Sequence, residues 1–366
     1  MNDFCQARIE KLQSRLCKET LPELIITDPT NVSYLTGFTG DSSYLLAMPN
    51  RMLMLSDTRF TVQLQEECPG LESRIRGASQ TTLELALECI QSMKLPSLGI
   101  EAASMTRAFC DQLEKGLGMT SLVSTTGWIE ELRSIKDSDE LQKIRRSIAV
   151  SERTFEVIRA QLRGDMTERE IAFDLEHQMR KFGADRCSFS PIVGVGARAA
   201  LPHARLTYQK ISQADFVLID WGAMVDGYAS DLTRTLVTGR PSARMEEIYR
   251  IVLKAQQAAI DLIRPGAVLK EIDRAARKTI DDSGYGEFFG HGLGHGFGMQ
   301  VHEVPFMKPT SEGTLRPGMV ITVEPGIYLP GEAGVRIEDD VLVTADGYEC
   351  LSQLPRDFDS QFVQLL

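Results

Sequence analysis

The chain has 366 residues, of which 43% are hydrophobic and 25% charged, and a formal net charge of −11. That length asks for two domains, and that balance excludes a disordered chain, a collagen-like repeat and a coiled coil. The acidic excess argues against a nucleic-acid surface, and the absence of any apolar run of about 18 residues argues against a membrane span.

The stretch from Asp3 to Leu16 spaces Phe4, Ile9, Leu12 and Leu16 along one helix face. It is not preceded by a basic segment with an apolar run, so no secretory signal is expected. Seven widely spaced cysteines with no C-x-x-C suggest reduced thiols in a cytoplasmic protein. Strands are expected over 23–27, 44–48 and 52–56, with Pro49-Asn50 as a hairpin turn between the last two. An amphipathic helix over 81–93 and a strand over 98–100 continue an α/β first domain, 1–133.

The second domain, 134–366, opens on a polar stretch in which Ser138 is expected to cap a helix running to about Leu162. Thr167 and Glu170 form a capping box for the next helix, on which His177 reads as an ordinary surface residue. After Gly183 the chain turns strand- and glycine-rich, which predicts an α+β domain built on antiparallel hairpins.

Phe216-Val-Leu-Ile-Asp220 is an apolar strand ending in an acid, and Asp226-Gly227 is a two-residue hairpin signal. A turn centred there sets Val225 opposite Tyr228 and Asp220 opposite Thr233. Asp231 then lies on the same sheet face as Thr233, diagonal to Asp220. Two carboxylates so placed can hold a pair of cations, although acids in hairpins are also common as solvated residues.

Three of the five histidines, His291, His295 and His302, fall in one segment interleaved with Gly290, Gly292, Gly294, Gly296 and Gly298. Glycine permits close backbone approach to a ligand, and clustered imidazoles point to chemistry. The segment lacks the strand–turn–helix context and the Lys-Ser/Thr of a phosphate loop. A second apolar strand ends in Glu324, and the returning strand carries Arg336 and Glu338 on one face. Asp220, Asp231, Glu324 and Glu338 would balance two divalent cations, with a neutral histidine completing an oxygen-rich set suited to Mn, Co, Fe or Zn.

These residues resemble the pita-bread metallopeptidases, which carry two Asp, one His and two Glu in this order. Asp220, Asp231, His295, Glu324 and Glu338 match. The segments GYASDLTRT, HGLGHGFGMQVHE and GMVITVEPGIY are similar to the proline-specific branch, Xaa-Pro aminopeptidase and prolidase. The likeness runs from about Ile135 to the C-terminus, and Asn31-Val-Ser-Tyr-Leu-Thr-Gly-Phe resembles the creatinase-type N-terminal domain more weakly. The fold implied is a creatinase-like α/β N-terminal domain followed by an α+β pita-bread catalytic domain. Methionine aminopeptidases share the ligands but usually lack the extra domain and a counterpart of His291. Creatinase shares the fold without the metal set. Non-catalytic relatives have degraded sites, whereas all five ligand positions are intact here.

The resemblance implies two divalent metal ions per subunit, with manganese first among the candidates, and a bridging hydroxide that attacks the Xaa-Pro carbonyl. Glu324 would then shuttle the proton, and His203 and His302 would bind the substrate and the oxyanion. His291 would line the substrate pocket, with Thr233 and Arg336 supporting the ligand carboxylates. Phe189, Phe297 and Tyr328 are candidates for an apolar proline pocket. Proline-containing peptides are the implied substrates, and a homodimer the implied assembly. Lys308 is the cation that could anchor a dipeptide carboxylate, and the absence of an Arg between His302 and Arg316 leans the reading towards an aminopeptidase.

Overall fold

The computed structural model describes residues 3–366, which divide into two compact units, the first ending at Arg133 and the second running from Ser134 to Leu366. The first holds a six-stranded mixed sheet in the order Ser73–Arg76, Arg51–Asp57, Tyr44–Met48, Leu24–Ile26, Ser97–Glu101, Ser121–Thr125. Its centre is antiparallel, because Pro49-Asn50 turns the chain directly back and pairs Met48 with Arg51. Its flanking strands run parallel, fed by helices that must cross over. Helices Thr82–Met93 and Arg107–Leu117 close a core of Ile25, Leu46, Leu53, Leu98 and Leu113. Thr81 and Glu84 cap the first of these helices reciprocally.

The second unit opens on helices Ser138–Gln161 and Glu168–Lys181. The first is capped by Asp137, not Ser138: the Asp137 carboxylate accepts from the Asp139 and Glu140 amides, and the Glu140 side chain returns the bond. An aspartate one residue earlier offers a charged acceptor in the same geometry and so outcompetes the hydroxyl. Thr167 and Glu170 form the second helix's box.

Strand Phe216–Trp221 lies between Ile192–Val195 and Leu232–Val237, antiparallel to both, and all six of its residues are buried: Phe216 and Leu218 pack into one core cluster, Val217, Ile219 and Trp221 into another. Cover on both faces explains its unbroken apolar run. The turn at Asp226 (φ 50°) and Gly227 (φ 77°) has the left-handed backbone of a tight hairpin, and it sets Asp220 opposite Thr233. A second, five-stranded antiparallel sheet orders Glu303–Met307, Gly294–Gly296, Val320–Val323, Asp339–Val343 and Tyr348–Cys350. A single bridge between Thr233 and Glu338 joins the two sheets, and the acids gather at that seam. Helices Ala243–Ile260 and Leu269–Asp282 cover the second sheet through Ile248, Val252, Ile272 and Ala276. They lie in the region expected to be mostly strand. Among the described residues no helix is long and apolar enough to cross a membrane, and the seven cysteines are free thiols.

Candidate metal centre

Four acids reach the seam from four chain segments. Asp220 is near the end of the central buried strand, and Asp231 immediately precedes Leu232–Val237. Glu324 follows Val320–Val323 and is held by its amide on the Leu293 carbonyl at 2.8 Å. Glu338 separates Ala333–Arg336 from Asp339–Val343 and donates its amide to the Thr233 carbonyl at 3.2 Å. Oxygens of Asp220, Asp231 and Glu338 all lie within 4.8 Å of one another. His295 Nε2 stands 3.3 Å from Glu324 Oε1 and 3.7 Å from Asp231 Oδ2.

The strand that carries His295 is fenced by backbone. A Cβ on Gly294 would come within 2.1 Å of the Thr322 carbonyl oxygen, and one on Gly296 within 2.4 Å of the Val304 carbonyl oxygen. These glycines therefore let three strands pack. The pairing shifts register between His295 and Gly296, an irregularity of the kind that re-aims a side chain.

Burial raises the Asp231 carboxyl well above its ordinary range, and the neighbouring Glu338 and Asp220 charges push it further. Burial likewise raises Glu338, reinforced by Glu324 and Asp220. Asp220 is raised by burial against the opposing pull of Arg336. For Glu324, burial is outweighed by the hydrogen bond and charge of His295, and its pKa falls. Burial lowers His302, helped by the charge of His295, whose ring centroid lies 4.4 Å away.

The donor set fits divalent cations. Asp220 Oδ1 is buried without a hydrogen-bond partner among the described residues, an arrangement that costs free energy unless a cation meets it. His295 Nδ1 lies 3.1 Å from the Gly296 carbonyl, so a proton there has its acceptor; without a cation Glu324 raises the imidazole's pKa against burial, and a cation would displace the Nε2 proton and take that nitrogen as a ligand. Four carboxylates and one imidazole suit Mn, Fe, Co or Zn, and the ligand types do not choose among them.

The network behind the acids is continuous. Arg336 Nη2 donates to Asp220 Oδ2 at 2.5 Å, Nε to Thr233 Oγ1 at 3.0 Å and Nη1 to Tyr328 Oη at 2.8 Å. Thr233 Oγ1 donates in turn to Glu338 Oε2 at 2.6 Å. His291 Nδ1 lies 2.8 Å from the Gly292 carbonyl and Nε2 2.9 Å from Tyr328 Oη. With its proton on Nδ1, His291 accepts a hydrogen bond at Nε2 from the Tyr328 hydroxyl, and burial lowers its pKa and favours that neutral form. Burial pushes the Tyr328 hydroxyl up to about 12, so it stays protonated.

A cavity of about 1210 Å³ opens over the acids, and His203, His291, His302, His295 and Arg336 line it with them. Thr233 stands behind the acids and does not reach it. Phe189 and Tyr328 lie in its wall, whereas Phe297 is buried in a core cluster with Ile144 and Val320. An aromatic between glycines can point to either side of a strand, and periodicity does not say which. His177 is exposed on its helix. Sequence reasoning passed over Arg205, Glu287 and Phe306 in the cavity wall. Phe306 faces His295 across the strand pair Gly294–Gly296 and Glu303–Met307, a pairing that no local pattern in the sequence gives.

A model of metallopeptidase family M24 matches residues 142–345, which hold all five candidate ligands. The chain belongs to metallopeptidase family M24. This peptidase also matches the creatinase/prolidase N-terminal domain over residues 8–135, so its fold is the pita-bread fold preceded by a creatinase-type domain. It is 36% identical over 350 residues to the uncharacterized peptidase YqhT of Bacillus subtilis (strain 168), covering 96% of this chain and 99% of that protein. Among solved structures, the peptidase resembles the Xaa-Pro dipeptidase from Bacillus anthracis. The TM-score is 0.93 at 34% identity, over 99% of this chain and 100% of the other. It also resembles the X-Pro aminopeptidase from Thermotoga maritima MSB8, with TM-score 0.87 at 34% identity over 96% and 99% of the two chains.

Proposed function

We propose that this M24 peptidase removes the residue that precedes proline at peptide N-termini, as an Xaa-Pro aminopeptidase with two divalent cations, manganese first, in its site. The observation that carries the reading is the convergence of Asp220, Asp231, His295, Glu324 and Glu338 in the wall of the cavity that His203, His291 and His302 share. The likeness to an Xaa-Pro dipeptidase and an X-Pro aminopeptidase supports proline specificity.

Cations held by those five residues would polarise a carbonyl and lower the pKa of water at neutral pH. Glu324, at the edge of the acid cluster and in the cavity wall, is the carboxylate assigned to take the proton of the attacking water and deliver it to the departing proline nitrogen. His302 and His203, both exposed to the cavity, are assigned to hydrogen-bond the substrate carbonyl as it becomes an oxyanion. His291, Tyr328 and Arg336 keep Asp220 oriented.

The cavity's size supports a longer peptide: about 1210 Å³ exceeds the roughly 300–1,000 Å³ of small-ligand pockets. A second reading, dipeptidase, rests on Lys308, which lines the same cavity and offers a cation for a free carboxylate. Hydrolysis of matched Xaa-Pro and Xaa-Pro-Xaa substrates, with Mn(II) and with chelator, decides between them. Cleavage of the tripeptide that chelator abolishes is the expected result. Activity on the dipeptide alone, lost in Lys308→Ala, would establish the second reading. No cleavage of either by the manganese-loaded enzyme would reject both.

A further inference from the structure

Behind the acids, on the side away from the cavity, lies a buried polar block that the proposed chemistry does not use. At its centre is Asp339. Its Oδ1 accepts from Arg234 Nη2 at 2.8 Å and from Ser352 Oγ at 2.9 Å. Its Oδ2 accepts from Gln256 Nε2 at 3.1 Å and faces Arg356 Nη1 at 3.2 Å. Arg234, Gln256 and Asp339 are at most 1% exposed, and none of them lines the cavity.

The block grips the backbone next to the acids. Gln256 Nε2 lies 3.1 Å from the Val323 carbonyl and 3.2 Å from the Ile337 carbonyl, the residues immediately before Glu324 and Glu338. Arg234 Nη1 donates to the carbonyls of Glu338 itself, at 2.6 Å, and of Thr233, at 2.9 Å. Asp340, whose amide donates to Ser352 Oγ at 3.1 Å, accepts the amide of Asp231 at 3.4 Å. Three of the four acids thus have their main chain tied, directly or through the preceding residue, to one cluster of side chains.

Resting on the metal-centre reading, we infer that the Arg234–Asp339–Gln256 block is the frame that sets the spacing of Asp231, Glu324 and Glu338, and so tunes metal affinity without touching metal or substrate. A coordination set works only when its oxygens are held within about 0.5 Å, and short acids at strand ends inherit the position of their backbone. A partnered buried network is stiff because breaking one bond strands the others in low dielectric. These are positioning residues.

The test compares Mn(II) binding to the metal-free full chain by calorimetric titration, together with the Mn(II)-induced rise in melting temperature. The variants are Gln256→Leu, which keeps the volume and removes the donor, and Ser352→Ala. Val252→Ala, one helical turn from Gln256 and fully buried in the apolar core, is the control for stability loss alone. The expected result is a loss of Mn(II) affinity of about tenfold in Gln256→Leu, a smaller loss in Ser352→Ala and wild-type affinity in Val252→Ala. A folded Gln256→Leu chain that binds Mn(II) as wild type does overturns the frame. If that chain does not fold, unchanged affinity in Ser352→Ala overturns it. A wild-type chain that takes up no Mn(II), Co(II), Fe(II) or Zn(II) overturns the metal-centre reading itself, a different failure from that of the frame.

Discussion

Arg336 shows what one side chain can hold together. Its fork meets Asp220, Thr233 and Tyr328 at once, and lysine has no planar fork with which to do so. Arg336→Lys is expected to cut activity by about 10- to 100-fold and to weaken Mn(II) binding, measured by steady-state kinetics and metal titration. Glu338→Ala removes both an oxygen donor and the acceptor of the Thr233 hydroxyl, and metal binding and hydrolysis should be lost together. In the N-terminal unit, Glu23 is fully buried, and neither of its oxygens has a hydrogen-bond partner among the described residues. Burial raises its pKa from an ordinary 4.5 to about 7, against the opposing charge of Arg51. The folded state therefore holds a proton that the unfolded chain releases. Its stability is fullest below pH 4.5 and falls as pH rises towards about 7. Glu23→Gln should remove that slope and add roughly 3 kcal/mol at slightly alkaline pH, as read by urea denaturation at two pH values. Equal slopes for the two proteins would refute the assignment.

At the scale of elements, strand Gly294–Gly296 is the most constrained piece of the centre. Gly294→Ala sets a methyl group within 2.1 Å of a carbonyl oxygen, and backbone cannot yield as a flexible side chain does. The substitution should cost about 1–3 kcal/mol and shift His295, so that thermal stability and metal affinity fall together. The Asp226-Gly227 hairpin was readable in advance because turn chemistry fixes register locally, and register fixed the Asp220–Thr233 pairing. The approach of Glu324 and Glu338 was not, because a long loop separates their strands. Helices Ala243–Ile260 and Leu269–Asp282 were also missed, although Ser242 caps the first and both bury one face. The cap at Asp137 shows the usual blur of a residue at a helix start.

Across the whole molecule, the catalytic unit carries a cluster of buried like charges that destabilises it whenever cations are absent. Asp231 and Glu338 are both raised well above the ordinary range, so the metal-free folded state binds protons that the unfolded chain does not. Stability of the metal-free protein should be fullest below the ordinary carboxylate range and fall as pH rises through the folded-state values. Adding Mn(II) at neutral pH should reverse the loss, by about 2.7 kcal/mol at a hundred times the dissociation constant. Calorimetric melts with chelator and with Mn(II) across pH test this. A melting temperature insensitive to metal would count against a cation among these acids. By itself the sequence determined the family, the four acids and one imidazole that could serve as ligands and the hairpin that brings two of the acids together, because these rest on residue type and short-range spacing. Only the tertiary structure decided that Glu324, Glu338 and His295 meet the hairpin at one seam. It alone placed Phe297 in the core, Phe306 at the cavity wall and the Arg234–Asp339–Gln256 block behind the acids. Those placements depend on contacts across the two sheets and on desolvation, which no local pattern encodes.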